Sequence, residues 1–243
     1  MMDKIKDFFD DFTFHARAMP VLVIIIPILV IGIYNGIIFS SWSENTLLVF
    51  IALVFLVFTS KISRNEGKKH EKLMYKQLGG MPTTIVLRFS DTTFDSVTKK
   101  RYHEKLNRCN GLDLPMSTEE ETQGSDEQYQ SASTILRTYA NANRDKEPRV
   151  YQELKDYNFW RNLYGTKKIA LIIYALIAIR EIVIMEDFQV QQVFLQPYPN
   201  YLALIIMLSC ILALILFVTP KTVEQKAFDY AKTLIEVCER FEC

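Results

Sequence analysis

The sequence predicts an all-α membrane protein: four transmembrane helices in two hairpins, with a mostly helical cytoplasmic domain inserted between them. Three observations predict it. Four apolar runs approach or reach the length that crosses a bilayer. Apolar residues make up 49% of the 243 while charged residues make up 23%, so the two kinds fall in separate blocks. Lysine and arginine are absent from both short linkers and dense in the middle of the chain.

The first run, Met19 to Phe39, is 21 residues of almost unbroken apolar sequence. At ~1.5 Å per residue it spans a hydrocarbon core of ~30 Å. It is too long for the core of a signal peptide, no A-x-A site follows, and four aspartates precede it. Thr46 to Ser60, Ile169 to Met185 and Tyr201 to Val218 are the other three runs. A lone short run reads equally as a buried core helix. Here the runs pair through the linkers Ser41–Asn45 and Glu186–Asn200, as hairpins would.

Charge orients them. Lys61, Arg64, Lys68, Lys69, Lys72 and Lys76 follow the second run, Arg161, Lys167 and Lys168 precede the third, and Lys221 and Lys226 follow the fourth. By the positive-inside rule both termini and the middle segment are cytoplasmic, and both short linkers face out. The expected division is an amphipathic segment 1–18, hairpin 19–60, cytoplasmic domain 61–168, hairpin 169–218 and a C-terminal helix 219–243.

The middle segment, Lys61 to Lys168, carries 20 basic and 15 acidic residues. A helix from Ser63 should stop at Gly79-Gly80-Met81-Pro82. Thr83 to Phe89 is β-branched and apolar and reads as a strand. Asp95 to Cys109, Ser125 to Asn143 and Val150 to Tyr164 read as helices; in the second, Tyr129, Ala132, Ile135, Leu136 and Tyr139 share a face. One strand makes no sheet, which is why a mostly helical domain is expected. At the N-terminus, Ile5, Phe8, Phe9 and Phe12 have helical spacing and suit either the inner membrane surface or a core. Beyond the fourth run, Val223, Ala227, Tyr230, Leu234, Val237 and Phe241 form an a/d seam, able to pack within one chain or between chains.

No catalytic set is evident. His15, His70 and His103 are far apart, no nucleophile elbow, P-loop or dinucleotide fingerprint occurs, and the cysteines lack C-x-x-C spacing. No enzyme, metal or cofactor is therefore expected. The carboxylates from Glu119 to Glu127 read as a solvated loop. Lys99, Lys100, Arg101, Tyr102 and His103, with Arg88 upstream, are the candidate ligand site, since cations neutralise phosphate and Tyr102 offers a stacking face. The bland alternative is a solvated helix face. Within the spans, Gly32 and Gly36 permit close helix approach, Asn35 is a lone polar group, and Arg180 and Glu181 are an ionisable pair costly in lipid. The pair suits either a pore lining or a snorkelling position near the outer interface.

Three phrases resemble a recurrent bacterial membrane-protein family: Leu78-Gly79-Gly80-Met81-Pro82-Thr83-Thr84 with Leu87-Arg88; Lys100-Arg101-Tyr102-His103; and Phe159-Trp160-Arg161-Asn162-Leu163-Tyr164-Gly165. They cover the middle third of the chain. The hairpin–domain–hairpin layout resembles the transmembrane effectors of the Hailong anti-phage system. That resemblance implies an oligomeric ion channel in the bacterial inner membrane, whose cytoplasmic domain binds a single-stranded DNA oligomer, made by a partner nucleotidyltransferase, that holds the pore closed. Together the readings give a homo-oligomeric channel, a tetramer by expectation, gated by an anionic nucleotide or oligonucleotide. The rival reading is a non-conducting scaffold or anchor that recruits a cytosolic partner.

Overall fold

Helices form almost everywhere the sequence places apolar periodicity, because backbone groups beside apolar side chains find their partners most locally in a helix. In the computed structural model residues 10–34, 42–122, 124–186 and 199–241 are described. The elements are α1 (Met19–Tyr34), entered through a short turn (Asp11–Thr13) and a π-turn (Phe14–Ala18); α2 (Trp42–Leu78); α3 (Pro82–Ile85); α4 (Ser96–Asn110); α5 (Ser125–Ala142); α6 (Pro148–Glu186); α7 (Pro199–Phe217); and α8 (Pro220–Ile235), closed by a 3₁₀ turn (Glu236–Glu239). Among the described residues there is no strand.

The chain folds as two compact units: 1–70 with 158–223, and 71–157 with 224–243. The C-terminal segment therefore belongs to the same unit as the middle of the chain, whereas the sequence suggested a separate helix and a domain bounded at 61 and 168. The helices α2, α6 and α8 each contain a unit boundary.

In the first unit, α1, α6 and α7 share one core of Ile24, Ile31, Leu163, Ala170, Tyr174, Ala178, Ala203, Met207, Leu214 and Val218. Along α6 the buried residues Asn162, Thr166, Ala170, Tyr174 and Ala178 recur every fourth position, so one inclined stripe of the helix is buried. The other faces remain apolar and exposed, as at Val30, Phe58, Ile172 and Leu212. By length and composition one helix, Asp11–Gly32, can cross a membrane; a second qualifies if Tyr201–Phe217 and Pro220–Glu239, bent by 54°, count as one span. Arg180 and Glu181 interrupt the apolar half of α6.

Pro20 has no N–H for the carbonyl of Ala16, four residues earlier. The backbone there opens into the π-turn, and Asn162 Nδ2 donates to Ala16 O at 2.6 Å. Beside it α2 and α6 meet backbone to backbone. Ser63 Oγ donates to Asn162 O at 2.8 Å, and a β-carbon on Gly165 would collide with Gly67 N. Lys167 Nζ donates to Val218 O at 2.8 Å, serving a carbonyl left over where α7 ends. Gly32 ends the qualifying apolar helix; Asn35 and Gly36, like Ile5, Phe8 and Phe9, lie outside the described residues.

In the second unit the caps follow the sequence. Asp95 accepts from Thr98 N at 2.8 Å to start α4, Gly111 closes it with φ of 63°, and Gly79 follows α2 with φ of 73°. The strand expected over Thr83 to Phe89 is corrected: Pro82 opens the single helical turn α3, and turns continue to Phe89. With no second strand to pair, helix and turn satisfy these groups locally, and Ser133 Oγ takes up Thr83 O at 3.2 Å. The seam Val223, Ala227, Tyr230, Leu234, Val237 and Phe241 is buried within the chain. Cys109 is disulfide-bonded, and Cys210 and Cys238 are free.

The glycine contact gives the first prediction. In Gly165→Ala the new methyl group meets the backbone of Gly67 and Ser63, which cannot swing away as a side chain can. The loss should reach ~3 kcal/mol, against ~1 kcal/mol for Ser63→Ala, which loses one hydrogen bond. Thermal unfolding in detergent checks it; equal effects of the two substitutions would show that the helices are not in backbone contact.

Candidate functional site

The six residues expected to bind a ligand lie in the second unit, on α4 and on the turn after α3. The structure brings them together but turns them in different directions. Lys99 is 2% exposed: its Nζ donates to Arg88 O at 2.6 Å and to Asp91 O, with the Asp91 carboxylate at 3.8 Å. Burial holds its ammonium below the usual lysine range, and Asp91 opposes that shift. His103 is fully buried. Its Nδ1 lies 2.6 Å from Pro115 O and its Nε2 3.0 Å from Leu87 O. Phe89 and Tyr129 flank the ring, with centroids at 5.4 and 5.7 Å. Lys99 and His103 thus face backbone carbonyls inside the unit, where the sequence suggests an outward cationic face.

The remaining members meet acids. Arg88 spans both oxygens of Asp126, at 2.9 Å from Nε and 2.7 Å from Nη2, and donates to Gly79 O at 2.7 Å. The hydrogen bond to Asp126 raises its already high pKa, with burial working against it. Arg101 pairs with Glu239, and the Tyr102 hydroxyl donates to the same Glu239 oxygen at 2.9 Å. Burial first, then Glu239, pushes the Tyr102 phenol up. The ring of Tyr102 is 4% exposed and packs against Phe94, so it presents no free stacking face. Lys100 is exposed, with no ion pair or hydrogen bond among the described residues.

The acids that complete this arrangement have no local signal in the sequence. Glu121 stands in a run that reads as a solvated loop, but its carboxylate accepts from Phe89 N and Tyr129 Oη, both at 2.9 Å, and from Ser90 N at 3.1 Å. Glu147, 2% exposed, takes both ends of the Arg240 guanidinium at 2.9 and 2.6 Å. Lys105 Nζ donates to Cys238 O at 2.8 Å. The sheltered Cys238 thiol is pushed up to about 12 by burial. Together these bonds tie the C-terminal segment to α4 and to the start of α6.

In the first unit, Arg180 pairs with Glu181. Glu181 is 1% exposed while the Arg180 side chain is 49% exposed, so the acid faces the interior of the unit and the base its surface. Among the described residues no group of three His, Cys, Asp or Glu side chains is placed to hold a metal ion. Comparison with protein-family models, curated proteins and solved structures gave no match.

The buried imidazole makes a pH prediction. Burial holds the His103 ring below the usual value of 6.5, while the two carbonyls pull the other way. A histidine lowered on folding adds stability that is complete above 6.5 and is lost as pH falls through the folded value. The thermal midpoint of the parent should therefore drop more between pH 7 and 5 than that of His103→Gln. Parallel pH profiles would show that the ring does not titrate in this way.

Proposed function

We propose that the chain is a four-span membrane protein whose copies assemble into an ion channel gated by its charged helical unit. The observation that carries the membrane reading is the distribution of exposed large apolar side chains. Among the described residues all but Leu73 and Val97 belong to the first unit, on α1, α2, α6 and α7. Water tolerates no such surface over four helices, whereas lipid favours it by on the order of 1 kcal/mol per half-exposed aliphatic side chain. The lysine-free linkers support inner-membrane insertion with both termini and the charged unit in the cytoplasm. Thiols there are held reduced, so the account requires the charged unit to stand without the Cys109 disulfide.

The reading as a channel draws on Glu181, an ionisable group inside a span, which marks a polar path in most membrane proteins. Gating draws on α2 and α6, each of which runs unbroken from apolar into charged sequence. The ligand is an anionic nucleotide or oligonucleotide, as the resemblance to Hailong effectors implies. Its phosphate would reach Lys100 directly and would compete with Glu239 for Arg101. A tetramer and an anti-phage role belong to the same proposal.

Expression with a membrane-potential dye tests conduction. Rapid depolarisation is expected, and an unchanged potential at equal membrane abundance favours the non-conducting anchor. Ligand sensing is tested by titrating a single-stranded oligonucleotide against the purified chain. Lys100→Glu with Arg101→Glu should abolish binding, while Glu239→Gln, which frees Arg101, should tighten it severalfold. Binding that neither change alters would refute the assignment of these two cations.

A further inference from the structure

In the first unit, between the π-turn before α1 and the middle of α2, lies a cavity of about 280 Å³ lined by Arg17, Ser60, Lys61, Arg64 and Asn65. Among the described residues no carboxylate lines it. Among the described residues Arg17, Lys61 and Arg64 have no acidic partner, and Lys61 lies 5.9 Å over the Phe58 ring. The positive charges of Arg64 and Arg161 both act on Arg17. Like charges gathered in a concavity repel unless an anion sits between them.

We propose that this cavity is a phosphate site, filled by the headgroup of an anionic phospholipid. The guanidinium groups of Arg17 and Arg64 suit the bidentate geometry of phosphate oxygens, and Lys61 adds a point charge. The level is right for a headgroup. Arg17 immediately precedes the apolar α1, and Ser60 to Asn65 immediately follow the apolar half of α2. Phe55, Phe58 and Ile62 stay exposed on the same helix, an apolar surface for acyl chains beside the cations. Among the described residues none that lines the cavity is aromatic, so these residues offer no platform for a base. Basic pockets on the cytoplasmic side of spanning helices bind acidic headgroups by the same balance of charge and depth.

This inference rests on the membrane reading above but not on conduction or gating. Its test uses the full chain in mixed micelles, with thermal unfolding as the readout. Phosphatidylglycerol should raise the midpoint and phosphatidylcholine should not. Arg64→Gln should weaken the apparent affinity for phosphatidylglycerol about tenfold, and Arg17→Gln with Arg64→Gln should remove the rise. In phosphatidylcholine Arg64→Gln should be at least as stable as the parent, because it relieves repulsion; a merely structural arginine would give the opposite. If the double variant does not fold, the single one carries the test. Equal rises in both lipids, or an undiminished rise in the variants, would overturn the site. A full rise produced by inorganic phosphate alone would overturn the lipid headgroup as its occupant. Failure of the membrane reading itself would show differently, as a chain that stays monodisperse without detergent.

Discussion

A backbone placed among apolar side chains must satisfy its own polar groups, and the first unit is organised around that constraint. Lipid supplies no hydrogen bonds, so each interruption of a helix needs a partner from elsewhere in the protein. Pro20 interrupts the entry to α1, and Asn162 supplies the donor that Ala16 O lacks. The end of α7 leaves carbonyls open, and Lys167 takes one of them. Pro27, within α1, has no N–H for Val23 O, and the Tyr174 hydroxyl donates to the next carbonyl, Ile24 O, at 2.8 Å. Asn162, Lys167 and Tyr174 all lie on α6, which therefore stabilises the unit by its polar side chains as well as by its buried stripe.

That role explains the composition of α6 and its neighbour. Asn162 sits within Phe159-Trp160-Arg161-Asn162-Leu163-Tyr164-Gly165, a phrase singled out for its family resemblance. In the structure the phrase is where the helices touch. Gly165 admits the backbone of Gly67, and Ser63 and Asn162 join across the contact. A contact this close restricts sliding and rotation of one helix on the other. A gate working through these helices would switch between discrete packings rather than deform continuously.

The legible parts of the chain were those encoded locally. Asp95 and Gly111 mark the ends of α4 because a cap is written in the few residues around it. The faces of α5 and α8 follow from apolar spacing, and Tyr129, Leu136 and Leu234 are buried accordingly. Thr83 to Phe89 reads as a strand because β-branched residues report burial as much as strand; Thr84, Val86 and Leu87 are indeed buried, but in α3 and the turns after it. Pairings between distant residues were not legible. Nothing near Arg101 announces Glu239, and nothing near Gly67 announces Gly165. The basic cluster was therefore visible as a cluster, but its neutralisation by Asp126 and Glu239 was not. Four apolar runs were equally visible, whereas length and composition alone qualify one or two helices as spans.

The central claim is that α1, α2, α6 and α7 each cross the bilayer, leaving both linkers on one side and the charged unit on the other. Single cysteines at Ser43, Gln192 and Ser131, in a chain without native cysteines, test it by labelling with a membrane-impermeant maleimide. The account predicts that Ser43→Cys and Gln192→Cys react from the periplasmic side of intact membranes, while Ser131→Cys reacts only after permeabilisation. Labelling of all three in intact membranes, or of the two linkers from opposite sides, would contradict it.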